Sequence, residues 1–277
     1  MLCVILAAIM KTAPASSGAG PAAAPPRVGT VEPRGLTECS GLVASRHQAG
    51  VLWAHTDGGG PKKSVLYAMD RTGRSLGSFP VVGAVLVDWE DLAIDDSRNL
   101  YIGDIGNNNA RRNQLAVHRV PEPEVGKGPA AVAVRQSWQL AFPGAPFDCE
   151  ALFVHQGQGY VISKVFKDAP AVLYTWSLSA TNQPCVLRLV TVLRITSPVT
   201  GADLSPDGRR LGVVAQAGAY VFRVDEDFAA LGGQTPFHVR FKDQRIEGCA
   251  FVNDGLLAVS EHRGLYLFNA PPFVAGP

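Results

Sequence analysis

An acidic residue followed by two short apolar runs recurs along this chain of 277 residues. Glu90, in Asp88-Trp89-Glu90-Asp91-Leu92-Ala93, is followed fourteen residues on by Asp104, which ends Tyr101-Ile102-Gly103-Asp104. Glu150 leads to Lys164 at the same spacing, Asp203 to Gln216 at thirteen, and Glu247 to Glu261 at fourteen. Glu38 leads, through a longer turn, to Val51-Leu52-Trp53-Ala54 and then to His55-Thr56-Asp57. The leading acids lie 52, 60, 53 and 44 residues apart. Self-similarity at such a period is the mark of a repeat architecture.

Each repeat reads as strand A after the acid, a turn, strand B, a loop and strand C. Strand C is Ser64-Val65-Leu66-Tyr67-Ala68-Met69 in repeat one and Leu265-Tyr266-Leu267-Phe268 in repeat five. These runs are rich in β-branched and aromatic residues, as half-buried strands require. A fourth strand is expected over 75–82, 131–142, 186–195 and 237–241. Asp70-Arg71-Thr72-Gly73 and Ser205-Pro206-Asp207-Gly208 supply turn chemistry. No stretch holds a helical period. The expectation is an all-β fold, a β-propeller of four-stranded blades, with five blades and six as the alternative. Repeat five lacks an outer strand, and Val28–Glu32 is expected to supply it and close the ring. Residues 1–27 read as a signal-like segment and linker, and 28–277 as one propeller domain.

The apolar run Leu2–Met10 is too short to span a membrane. With the Ala/Pro/Ser/Gly-rich stretch behind it, it reads as an export signal, which predicts a periplasmic or extracellular protein. Net charge is +1, so no global field favours nucleic acid. Cys39, Cys149, Cys185 and Cys249 show no zinc spacing. They read as small buried hydrophobes, with a disulfide of unassignable pairing as the alternative.

Asp88-Trp89-Glu90-Asp91, Tyr101-Ile102-Gly103-Asp104-Ile105-Gly106-Asn107-Asn108 with Arg111-Arg112, and Trp53-Ala54-His55-Thr56-Asp57 resemble motifs of a group of uncharacterised exported bacterial β-propellers. The likeness covers roughly residues 35–270. More distantly the chain is similar to phytase-like and paraoxonase- or gluconolactonase-like propellers. That resemblance implies axial carboxylates that hold calcium.

In a propeller the residue before strand A and the residue after strand B share one face. Glu38, Glu90, Glu150, Asp203 and Glu247 are therefore expected around the mouth of the central channel, with Asp104 beside them. Crowded carboxylates must be protonated, paired or hydrogen-bonded. One solution is a bound cation, and an all-oxygen donor set favours Ca²⁺. The other is structural, each acid accepting backbone N–H groups of the next blade. His55 and Asp57 are expected at the same face, either as a proton-handling pair or as structural residues. Asn107, Arg111, Arg112, Lys164, Gln216, Glu261 and His262 are expected to line a ligand site there.

Two functions follow from this reading. The first is an exported, calcium-dependent hydrolase of phosphoesters or lactones that takes a small anionic substrate. The second is a non-catalytic envelope propeller that binds a protein, peptide or glycan. A monomer is expected in either case.

Overall fold

Among the described residues, twenty-two short strands follow one another along the chain, joined by turns and short 3₁₀ segments such as Phe228–Gly233 and Pro271–Phe273. The computed structural model describes residues 24–57, 63–84, 87–128, 130–166, 169–225, 227–242 and 245–274. The export-like run Leu2–Met10, the loop 58–61, Lys62 and Lys167 lie outside them.

The strands form five antiparallel blades. Blade 1 contains β2 (Cys39–Ala44), β3 (Leu52–Thr56), β4 (Val65–Met69) and β5 (Ser75–Val82). Blade 2 contains β6 (Trp89–Ile94), β7 (Asn99–Asp104), β8 (Gln114–Pro121) and β10 (Gln136–Ala141). Blade 3 contains β11 (Asp148–His155), β12 (Gln158–Lys164), β13 (Val172–Ser177) and β15 (Arg188–Val192). Blade 4 contains β16 (Val199–Leu204), β17 (Arg210–Ala215), β18 (Gly218–Arg223) and β19 (Phe237–Arg240). Blade 5 contains β20 (Ile246–Val252), β21 (Gly255–Ser260) and β22 (Gly264–Phe268), and its outer strand is β1 (Arg27–Thr30).

The ring is thus a five-bladed propeller closed by the N-terminal strand, which leaves blade 5 without an open edge. The six-blade alternative falls, because the 223–236 stretch holds a 3₁₀ segment, Phe228–Gly233, where a further blade would need strands.

Inner strands are almost wholly buried, and β6 and β16 are buried along their whole length. Both of their faces meet neighbouring blades, so apolar residues do not alternate with polar ones along them, and the polar residues they carry gather at the channel. Outer strands are more exposed, and the second half of β5 and the centre of β10 alternate because one face is in water. The core is divided into five clusters, one between each pair of adjacent blades. Between blades 1 and 2, for instance, Trp53 and Phe79 pack with Trp89, Leu92 and Ile102. Each such side chain contributes about 1.5–3 kcal/mol by burial.

Two expected outer strands split, for one physical reason. In the 131–142 stretch, β9 (Val132–Ala133) leaves its own blade and pairs in parallel with β5 of blade 1. In the 186–195 stretch, β14 (Cys185–Val186) pairs in parallel with β10 of blade 2. Other connections between the third and fourth strands also reach back to the preceding blade. Phe228 of blade 4 packs on Phe153 and Tyr160 of blade 3, with ring centroids at 5.2 and 4.7 Å. Phe273, after β22 of blade 5, meets Phe237 of blade 4 at 5.8 Å. The Asp70–Gly73 turn of blade 1 accepts the Thr30 N–H at Thr72 O (3.0 Å) and the Glu32 N–H at Gly73 O (2.8 Å), next to blade 5. The two parallel pairs and the Asp70–Gly73 turn satisfy polar backbone at an edge that would otherwise face water, whereas Phe228 and Phe273 bury apolar surface against the neighbouring blade.

Cys39, Cys149, Cys185 and Cys249 are buried free thiols, and no disulfide joins the described residues.

Candidate functional site

Each inner strand has a register irregularity near its start. The residues set out of register there are Ser40 with Gly41, Glu90, Glu150, Thr200 and Glu247. Bulges re-aim side chains, and these five positions ring one channel mouth. Three are carboxylates and two are hydroxyls. Each hydroxyl bonds the next blade: Ser40 Oγ donates to Glu90 O at 2.8 Å, and Thr200 Oγ1 to Ile246 O at 2.7 Å.

Glu38 and Asp203 do not hold ring positions. Glu38 precedes β2 and is exposed at the lip of the same cavity. Asp203 sits near the end of β16 and borders a cavity at the other end of the channel. Its three-residue offset from Thr200 corresponds to about 10 Å of strand. Asp203 accepts the Phe251 N–H of blade 5 at 2.7 Å, so it joins blades.

The mouth encloses a cavity of about 140 Å³. Its lining includes six carboxylates (Glu38, Asp57, Glu90, Glu150, Glu247 and Glu261) and one ammonium, Lys164. Lys164 pairs with Glu150. Burial would lower the Lys164 pKa, but the charges of Glu150, Glu247 and Glu90 hold it above its ordinary value. Burial, reinforced by the charges of Glu150, Asp57 and Asp88, pushes Glu90 well up. Burial also raises Glu150 against the pull of Lys164. Glu247 is pushed up to about 7, chiefly by burial, with Lys164 opposing and Glu261 reinforcing the shift.

Asp57, Asp88 and Glu90 each place one carboxylate oxygen within 4.8 Å of the others. Gly106 packs directly on two of them. A Cβ at this position would lie 2.3 Å from Asp88 Oδ2 and from Glu90 Oε1. Burial and the Asp57 charge push Asp88 up to about 6. Asp88 is a site residue that the repeat pattern did not single out. The signal was its place two residues before Glu90, in the turn that enters β6.

Several expected ligand residues hold structure instead. Asp104 is buried, accepts the N–H groups of Val87 and Asp88 at 2.9 and 3.0 Å, and pairs with Arg112 at 2.8 Å. Arg112 also donates to Gly106 O at 2.8 Å. Asn107 donates its backbone N–H to Asp148 at 2.6 Å and accepts from Arg112 N at 2.9 Å. Together these bonds fix the 104–112 loop that carries Gly106 to the acids. Arg111 and His262 are exposed and line neither the mouth nor the adjoining cleft.

His55 is not presented to solvent at the mouth. Its ring is 0% exposed, with Nδ1 3.1 Å from Thr56 O and the ring edge-on to Trp89 at 5.3 Å. Burial drives its pKa down to about 4, against the carbonyls of Thr56 and Asp91, which favour the charged ring. It stays neutral in the channel wall.

The axis itself is filled by Asp91. The positions equivalent to it are Gly41, Ala151, Gly201 and Gly248, all small. Asp91 is fully buried and accepts N–H groups from Leu92 (2.9 Å), Leu152 of blade 3 (2.8 Å) and Ala202 of blade 4 (3.1 Å). Burial raises its pKa, and those three donors oppose the rise.

Beside the acidic mouth lies a larger cleft of about 980 Å³, which shares Lys164, Glu247 and Glu261 with it. Gln216 is exposed on its rim. Arg194, Arg240, Lys242 and Arg245 give it a basic wall. Arg245 pairs with Glu261 at 3.0 Å. The acid-to-polar repeat does not single out these cations; the charge-dense stretch from Arg240 to Arg245 is the signal for three of them, and Arg194 has none. Tyr220 and His238 stack within the cleft at 3.9 Å.

No protein-family model matches the chain, and no curated protein matches it. Among solved structures, a chain in one described as "Crystal Structure of Mitotic Checkpoint Complex" is similar, with a TM-score of 0.47 and 11% identity. That alignment covers 97% of this chain and 99% of the other. The assignment of fold rests on the strand pairing, and by that pairing the chain is a five-bladed β-propeller.

Proposed function

We propose that the acidic mouth holds a divalent cation, Ca²⁺, and that the protein is a cation-dependent hydrolase of phosphoesters or lactones with an anionic group. The observation that carries this reading is the convergence of Asp57, Asp88 and Glu90 oxygens within 4.8 Å. Calcium takes oxygen ligands at about 2.3–2.6 Å, so two ligands on one ion stand no more than about 5 Å apart. The raised pKa values of Asp88 and Glu90 support it further, because burial and neighbouring carboxylates outweigh the opposing charges of Arg112 and Lys164.

In this reading Asp57, Asp88 and Glu90 hold the cation, and Glu150 and Glu247 complete the field around it. A cation held there would supply Lewis acidity to a substrate oxygen or to water. Lys164 stands at the boundary between mouth and cleft, where it meets an anionic substrate group. Arg240 and Lys242 bind the remainder of that group. Glu247, pushed up to about 7, is suited to exchange a proton near neutral pH. Export belongs to this proposal through the Leu2–Met10 run.

The burial of His55 favours the second reading, a non-catalytic envelope propeller that uses the same face to bind a protein or glycan. It removes the base expected beside Asp57. Calorimetric titration of chelator-stripped protein with Ca²⁺, followed by assay on phosphoesters and lactones, separates the two. The hydrolase reading expects a dissociation constant on the order of micromolar, loss of binding in Glu90→Gln, and turnover that requires the ion. Binding without turnover selects the second reading, and no binding of Ca²⁺ removes the first.

A further inference from the structure

The far end of the channel carries a separate cavity of about 330 Å³, where the first and second strands of the blades turn. Its wall mixes apolar surface from Leu52, Ile94 and Phe251 with two opposite charges, Asp203 and Arg46. Asp203 is 8% exposed and is anchored by the Phe251 N–H at 2.7 Å. The Arg46 guanidinium lies 3.5 Å from Leu204 O, the residue next to Asp203. Arg46 also pairs with Asp96 at 2.7 Å, but the Asp96 side chain is 83% exposed, and such pairs hold an arginine weakly. Arg71 stands at the rim, paired with Asp254 at 2.7 Å.

We propose that this cavity binds a free α-amino acid with an aliphatic side chain. The ammonium group meets Asp203, the carboxylate meets Arg46, and the side chain packs on Leu52, Ile94 and Phe251. Charge complementarity carries the inference. An apolar ligand would take water from both charged groups and return no polar partner to either, which is costly. A simple anion would face Asp203, and a simple cation would face Arg46. A zwitterion with an apolar body satisfies all three surfaces. The volume lies at the lower end of small-molecule pockets. The site is independent of the acidic mouth, and its occupation does not depend on a cation there.

The test is calorimetric titration of the full chain with L-leucine, leucinamide and N-acetylleucine in the presence of chelator. Leucine is expected to bind, and each analogue, lacking one charge, to bind about tenfold or more weakly. Asp203→Asn keeps an acceptor for the Phe251 N–H, and Arg46→Gln keeps a polar donor. Each is expected to weaken leucine about tenfold or more in a chain whose thermal melt still shows a cooperative fold. Absence of heat from leucine at about 10 mM would overturn the proposal, as would equal binding of the three compounds. If Asp203→Asn fails to fold, the analogue series on the wild-type chain decides the matter.

Discussion

Asp91 and Ala202 stand 111 residues apart in the chain, yet the Asp91 carboxylate accepts the Ala202 N–H at 3.1 Å across the channel axis. The same carboxylate holds Leu152 of the blade between them. One side chain therefore ties three consecutive blades together from inside the ring. Asp91→Ala strands the N–H groups of Leu92, Leu152 and Ala202 in a buried site, at about 1–3 kcal/mol each. The expected loss of stability is about 3 kcal/mol or more. Asp91→Asn keeps one acceptor and is expected to lose less. Urea denaturation of the two variants checks the order, and equal stability of Asp91→Ala and wild type would refute it.

The acids at the two channel ends make stability depend on pH. Glu247 and Asp203 are both pushed up to about 7, chiefly by burial. An acid whose folded pKa is raised is ionised more readily in the unfolded chain, so its contribution is lost as pH rises toward the folded value. Below pH 6.5, the ordinary value for histidine, buried His55 acts in the opposite sense. The raised pKa of Lys164 contributes stability that is lost only in the alkaline range, as pH rises through that raised value. The melting temperature of chelator-treated protein is therefore expected to fall from about pH 6.5 to about pH 8. Saturating Ca²⁺ is expected to flatten that fall, because it favours the ionised mouth. A flat profile without the ion would count against the crowded-acid description.

Lys164 and a cation compete for the same field, since Lys164 pairs with Glu150 and its charge also acts on Glu90. Lys164→Met is expected to tighten Ca²⁺ binding about tenfold, the scale of a unit charge at about 4 Å under nearly water-like screening. The readout is the dissociation constant by calorimetry. Weaker binding in Lys164→Met would show that the ammonium organises the acids and does not neutralise them.

Two glycines of positive φ separate backbone preference from packing. Gly50 (φ 78°) has open space where a Cβ would go, whereas a Cβ on Gly73 (φ 90°) would lie 2.1 Å from Thr30 O. Gly50→Ala is expected to cost about 1 kcal/mol, the left-handed penalty alone. Gly73→Ala adds displacement of the closing strand and is expected to cost at least about 2 kcal/mol. Thermal melts of both variants measure the difference, and equal losses would mean that the contact at Thr30 yields freely.

The blades were legible in the sequence because inner strands must be apolar on both faces, and turn residues mark their ends. Strand pairing bears out the five blades and the closing role of the N-terminal strand. Register was less legible. Turns between the first two strands differ in length, so counting from acid to polar residue aligned Asp203 with Glu90, whereas the bulge aligns Thr200 with it. A slip of three residues moves a side chain from one end of the channel to the other. Asp91 was in view beside Glu90 but carried no repeat signal, since its counterparts are Gly41, Ala151, Gly201 and Gly248. Their smallness was the clue, as a single long side chain fills what four short ones leave open. The basic wall at Arg194, Arg240 and Lys242 lies between repeats, where the acid-to-polar pattern is silent.

The backward reach of each connection onto the preceding blade has a genealogical consequence. A blade cut out along its own edges would leave one outer flank bare and carry a dangling clasp meant for a neighbour. The portable module is therefore out of phase with the visible blade, as the ring's own seam shows, with blade 5 finished by β1 from the opposite terminus. A ring of this kind gains or loses members by copying that staggered module, so that every newcomer arrives with the fastening for the one before it.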